Sequence, residues 1–118
     1  MPLPLRRVKT YTSASGYVYQ YYFVGERDAS AGREYIFDVT RDRQATFAFT
    51  VILPPESAAR WSSAHGRELS PPERYAASKM RLLRGFDELG AKDLREVPRH
   101  FNMDAHDLES LLSELGID

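Results

Sequence analysis

The chain contains no cysteine in its 118 residues. Disulfides, thiolate nucleophiles, cysteine zinc sites and iron–sulfur clusters are therefore excluded. It carries almost no net charge. Sixteen basic side chains against 17 acidic ones leave −1, too little for a global field that recruits nucleic acid or membrane. No apolar run approaches the ~18–20 residues that span a bilayer. The opening Met1-Pro2-Leu3-Pro4-Leu5-Arg6-Arg7 lacks the apolar stretch of a secretory signal. A cytoplasmic protein without membrane association is expected. The seven glycines are scattered, forming neither a phosphate-cradling loop nor a dinucleotide fingerprint. No serine sits in Gly-x-Ser-x-Gly, and no His-x-x-x-His or His-x-His occurs. Nothing in the sequence supports an enzyme or calls for a cofactor or metal.

What is present suits one core: 42% of the residues are apolar, enough to fold without cross-links at this length. The chain changes character at Pro54-Pro55, with rings and β-branched residues before it and Ala, Leu, Glu and Arg after it. Strand formers followed by helix formers predict an α+β fold: an antiparallel sheet of three or four strands, packed on one face by a long helix, with smaller C-terminal helices. Strands are expected over 6–12, 17–25, 33–40 and 45–53, with 26–32 as a hairpin loop. In the last strand Phe47, Phe49, Val51 and Leu53 alternate with Ala48, Thr50 and Ile52.

Helices are expected over 56–64, where Gly66 would supply a left-handed cap, and over 71–89. Ser70-Pro71-Pro72-Glu73 reads as a capping box with proline at the first helical position. Gly85 inside this helix costs roughly 1 kcal/mol against alanine, which points to close approach to the sheet. A final helix begins at Asp104 and presents Leu108, Leu111, Leu112 and Leu115. Residues 1–90 form the α+β domain, and 91–118 a helical extension packed on it. The core should contain Phe37, Val39, Phe47, Phe49, Val51, Leu53, Leu82, Leu83 and Phe86.

The tyrosine-rich strand is the most unusual feature. Tyr17, Tyr19, Tyr21 and Phe23 share one face, and Val18, Gln20, Tyr22 and Val24 the other. If the even-numbered residues pack inward, an aromatic row remains on the open face, flanked by Arg6, Arg7 and Lys9. Such a row anchors a protein partner or stacks unpaired bases. The opposite arrangement makes the odd-numbered rings core. Arg74, Arg81 and Arg84 fall on one side of the long helix, either as a stripe that follows a phosphate backbone or as a solvated face. His100, Asp104, His106 and Asp107 cluster around the last helix start; this is read as a solvated helix start in which Asp104 caps backbone amides and Asp107 favours the dipole, in preference to a metal site.

Residues 94–117 read Leu-Arg-Glu-Val-Pro-Arg-His-Phe-Asn-Met-Asp-Ala-His-Asp-Leu-Glu-Ser-Leu-Leu-Ser-Glu-Leu-Gly-Ile. This segment resembles the small helical module in the amino-terminal region of bacterial translation initiation factor 2. The matching positions are Val97, Phe101, Met103, Leu108, Leu111, Leu112, Leu115, Gly116 and Ile117. Pro98 departs from the pattern, which usually has alanine there. The resemblance implies a helical hairpin with ribosomal or nucleic-acid contact. Three basic against seven acidic side chains in 91–118 oppose phosphate binding.

These features point to a small non-enzymatic interaction module. Its expected partner is a protein, including a second copy of itself, bound through an aromatic sheet face or a strand edge. The alternative is a single-stranded nucleic-acid binder that uses tyrosine stacking and arginine contacts.

Overall fold

Alternation of rings and β-branched residues draws the first half of the chain into a sheet with one buried face. The computed structural model describes residues 7–41, 43 and 45–118. Four strands form an antiparallel meander: β1 (Lys9–Thr12), β2 (Val18–Ala29), β3 (Gly32–Arg41) and β4 (Thr46–Leu53). They are followed by α1 (Pro55–His65), α2 (Pro71–Leu89), β5 (His100–Asn102) and α3 (Ala105–Glu114). The fold is α+β, with a five-stranded sheet in the order β1-β2-β3-β4-β5. The helices lie against one of its faces.

Two features differ from expectation. β5 joins the sheet parallel to β4, from Thr50↔His100 to Ile52↔Asn102. With only Phe101 buried between two exposed neighbours, it is too short to show a period in sequence. Residues 26–29 are strand rather than loop, and the hairpin closes tightly at Ala29↔Gly32. Cross-strand charge pairs extend the ladder here: Arg27 with Glu34 at 2.8 Å and Arg33 with Asp28 at 2.8 Å. Gly32 is required, because its φ is 141° and a Cβ would collide with the Leu53 carbonyl.

The core joins Tyr19, Tyr35, Phe37, Val39, Phe49 and Val51 of the sheet to Leu82, Phe86, Leu108, Leu111 and Leu112 of the helices. Phe47 and Leu83, expected as core, are only partly buried, and Leu115 lies exposed at the end of α3. Along α2 the buried residues are Ala77, Ser78, Leu82, Gly85, Phe86 and Leu89, one stripe at helical spacing. Gly85 is where β5 meets α2: a Cβ there would overlap the Phe101 ring. Arg81 covers the same ring, its guanidinium 4.8 Å from the centroid. The capping box at Ser70 and Glu73 is complete, and Gly66 closes α1 at φ 71°. At the other end of the sheet the Tyr11 hydroxyl and the Ala14 N–H both donate to Asp87, tying β1 and its following turn to α2.

Two consequences are testable. Gly85→Ala should destabilise the protein by about 1–3 kcal/mol through overpacking on Phe101, despite the better helix propensity of alanine. Denaturant unfolding measures it, and a neutral or stabilising result would mean that the ring has somewhere else to go. Glu73 supplies the second. The Arg67 guanidinium, followed by the Ser70 N–H, holds its carboxyl down at about 2, below an ordinary value of 4.5. A depressed carboxylate stabilises the fold above its unfolded value, and that contribution disappears as pH falls through the folded one. The thermal midpoint should therefore drop between about pH 4.5 and 2. Glu73→Gln should flatten that part of the profile; an unchanged slope would assign the acid sensitivity to other groups.

Candidate interaction surface

The direction of the β2 rings decides which surface the protein offers. Tyr19 is fully buried and Tyr21 is 4% exposed. Tyr19 lies flat on Phe86, with centroids 4.2 Å apart and planes 2° from parallel. Its hydroxyl accepts from Arg41 at 3.4 Å. Burial, reinforced by Tyr75, pushes the Tyr21 phenol above its ordinary value. Phe23 meets Tyr75 edge-on at 4.8 Å. Tyr17 alone of the three expected tyrosines reaches solvent, and the Arg41 guanidinium sits 4.7 Å from its ring centre. The expected open row of Tyr17, Tyr19 and Tyr21 is thus corrected: Tyr19, Tyr21 and Phe23 face the helices.

A β-bulge is the physical reason. From the hairpin outward, Ala29↔Gly32 through Gly25↔Ile36 set one register. Continued unchanged, it would place Val24 opposite Phe37 and Tyr22 opposite Val39, with even-numbered residues inward. The register instead shifts between Phe23 and Gly25, so that Phe23 pairs with Phe37 and Tyr21 with Val39. One extra residue, Val24, exchanges the two faces of the rest of the strand.

The helix-free face is built from the other parity. Thr10, Gln20, Thr40 and Thr46 form one row across it, and Tyr22, Asp38 and Ala48 the next. Ile36 with Thr50 and His100, then Arg27 with Glu34, Ile52 and Asn102, complete it. The Tyr22 hydroxyl donates to Asp38 Oδ2 at 2.8 Å. Val18 is 49% exposed and Val24 43%, while Val8, just ahead of β1, is 53% exposed. A notch of about 320 Å³ opens between Thr10, Val18, Gln20, Thr40 and Arg43. Apart from the Arg27–Glu34 pair, Asp38 and His100, these rows carry no ionisable side chain but Tyr22.

The expected arginine stripe is dispersed into separate structural contacts. Arg74 donates to the Leu69 carbonyl at 2.9 Å. Arg81 reaches the Asn102 carbonyl and Glu88, both at 3.3 Å. Arg84 pairs with Glu114 at 3.3 Å. Arg7 and Lys9 are exposed, and Arg6 lies outside the described residues. Asp104 and Asp107 complete a capping box on α3. Among the described residues no group of three or more His, Asp or Glu side chains is placed to hold a metal ion. His65 instead stacks on Trp61 at 4.2 Å and meets Glu109 at 2.7 Å. Of the helical hairpin implied for 94–117, the second helix forms as α3; its predecessor is a set of turns leading into β5.

Among the described residues no helix is long and apolar enough to cross a membrane. Compared with known proteins, the chain matches no family model, no curated protein and no solved structure.

The two faces of β2 predict opposite mutational responses. Tyr19→Ala should cost about 3–5 kcal/mol, as a ring deleted from a core does. Tyr22→Ala should cost about 1 kcal/mol or less, the scale of one partly exposed hydrogen bond. Equal losses in chemical denaturation would contradict the assignment of faces.

Proposed function

We propose that this protein is a non-enzymatic interaction module whose partner is a second copy of the chain, docked face to face through the open side of the sheet. The observation that carries this reading is the exposure of Val18 and Val24 on a face with little charge. Water-exposed sheet surfaces ordinarily hold charged side chains, and a surface without them is the kind that associates. Two copies related by a twofold axis bring the same patch to itself, so the patch must not repel itself. Arg27 and Glu34 neutralise each other, and the Asp38 carboxylate is engaged by Tyr22.

Size supports the same reading. Five strands spaced about 4.8 Å apart, over about seven residues of ~3.3 Å each, offer roughly 500–600 Å² per copy. A pair then buries somewhat more than about 1,000 Å², the lower end of specific interfaces. The two sheets would stack at about 10 Å, as in a β-sandwich, with a helical layer outside each. Base stacking on Tyr19 and Tyr21 would need those rings in water, whereas the valine face already lies open to it. A cytoplasmic setting fits a chain with no cysteine to oxidise.

Sedimentation velocity across micromolar to submillimolar concentrations tests the proposal. The wild-type chain should shift reversibly from monomer to dimer. Val18→Asp combined with Val24→Asp should remain monomeric while keeping its circular dichroism spectrum, since both side chains lie outside the core. A wild-type chain that stays monomeric throughout, or a dimer that survives both substitutions, would defeat it.

A further inference from the structure

A second surface lies on the opposite parity and at the edge of the sheet, where β4 runs past the end of β5. β3 pairs with β4 from Thr46 onward, whereas β5 covers only Thr50 to Ile52. On the β5 side the first backbone bond is from the Thr50 N–H to the Arg99 carbonyl at 2.9 Å, and the Met103 N–H reaches the Ile52 carbonyl at 2.9 Å. Even-numbered residues of β4 therefore direct their backbone groups toward this edge. Ala48 follows the same alternation one step earlier, and it is exposed. Its N–H and C=O face a stretch of edge that β5 does not cover.

Beside this stretch is a cavity of about 330 Å³ lined by Phe47, Ala91 and Leu94 together with Arg41, Asp93 and Arg95. Phe47 adjoins Ala48 in β4, so a strand laid along the edge would place alternate side chains on the cavity side. The end of β3 and the adjoining segments 42–45 and 91–99 carry Arg41, Arg43, Lys92, Arg95 and Arg99 against Asp42, Asp93 and Glu96 in sequence, Asp42 lying outside the described residues. Asp93 is itself paired with Arg95 at 2.9 Å. Two of the guanidinium groups are held on rings: Arg41 over Tyr17, and Arg99 over Phe47 at 4.9 Å. Arg41 is further fixed by the Gly90 and Lys92 carbonyls at 3.1 and 2.8 Å. Fixed cations lose little freedom when a ligand arrives.

We propose that the uncovered edge of β4 at Thr46–Ala48, with its arginine-rimmed cavity, takes an extended acidic segment of a partner protein as an added strand. The edge supplies alternating donors and acceptors that only a peptide backbone matches, the cavity takes one apolar side chain, and the cations select carboxylates on its neighbours. The two surfaces share Thr46 and Ala48, but the face engages their side chains and the edge their backbone groups, so either reading can fail without the other.

The probe is a fluorescein-labelled hexapeptide, Glu-Val-Glu-Val-Glu-Val, titrated with the full chain and followed by anisotropy. Binding should weaken with added salt, and the matching Lys-Val-Lys-Val-Lys-Val peptide should not bind. Arg95→Glu should lower affinity about tenfold or more, and Ala48→Pro, which removes one edge donor, by up to about tenfold. Amide exchange at Ala48 in the wild-type chain should slow when the acidic peptide is added, which keeps the test intact if the proline variant fails to fold. No binding, equal binding of both peptides, or a bound peptide that leaves Ala48 exchange unchanged would overturn the proposal. So would tight binding of a ten-nucleotide oligothymidine that competes with the peptide and is unaffected by Ala48→Pro, since that would identify a phosphate site.

Discussion

Two rings in flat contact join the layers of this protein. Tyr19 of β2 lies parallel to Phe86 of α2, and Phe86 also meets Tyr11, Tyr21 and Phe49 with centroids 6.0 to 6.3 Å away. Strand side chains alternate strictly, so anchoring Tyr19 under α2 also commits Tyr21 inward and Val18, Gln20 and Tyr22 outward. Gly85, adjacent to Phe86, leaves room for the Phe101 ring of β5. One stripe of α2 thereby gathers β1, β2, β4 and β5, and among the described residues the opposite face of the sheet receives no helix.

The bulge at Val24 makes that contact possible. A two-residue shortcut from β2 to β3 starts the hairpin in a register that would put Val24 and Tyr22 against Phe37 and Val39. Those even-numbered side chains would leave Phe86 facing smaller or polar residues. Adding one residue to β2 restores a match of ring to ring, Phe23 to Phe37, and of Tyr21 to Val39. A bulge also increases local twist, and it sits where β2 runs beyond its pairing with β1 at Lys9↔Tyr21.

Much of the fold was legible because its signals are local. Ser70 and Glu73 mark the start of α2, Gly66 the end of α1, and Asp104 the start of α3, each through backbone groups within a few residues. The alternation of Phe47, Phe49, Val51 and Leu53 was equally plain, since only one of its faces is strongly apolar. The faces of β2 were not legible, because both contain rings or valines and the deciding event is a single unpaired residue. Gly85 announced a close approach without naming its partner, since Phe101 lies in a strand of three residues. The cationic rim around Phe47 was hidden for a different reason: Arg41, Arg95 and Arg99 come from segments about fifty residues apart in the chain and meet only through the parallel pairing of β4 with β5.

Charge is distributed differently over the two surfaces that remain. Around the β2–β3 hairpin, Glu26, Arg27, Asp28, Arg33 and Glu34 pair with one another, and together with the bulge they blunt that stretch of edge against strand addition. At the uncovered part of β4 cations outnumber carboxylates even with Asp93 paired to Arg95, so two copies brought together at this edge repel. The open sheet face is the reverse case, with few charges: Arg27 pairs with Glu34 and Asp38 is hydrogen-bonded to Tyr22, leaving His100 and, at the notch, Arg43. Like-to-like contact is therefore disfavoured at the edge and permitted on the face, while an acidic strand meets the opposite conditions. Were both surfaces used as proposed, specificity would need no pocket of high affinity: repulsion would remove the wrong partner at each surface, and modest apolar and backbone contacts would suffice for the right one.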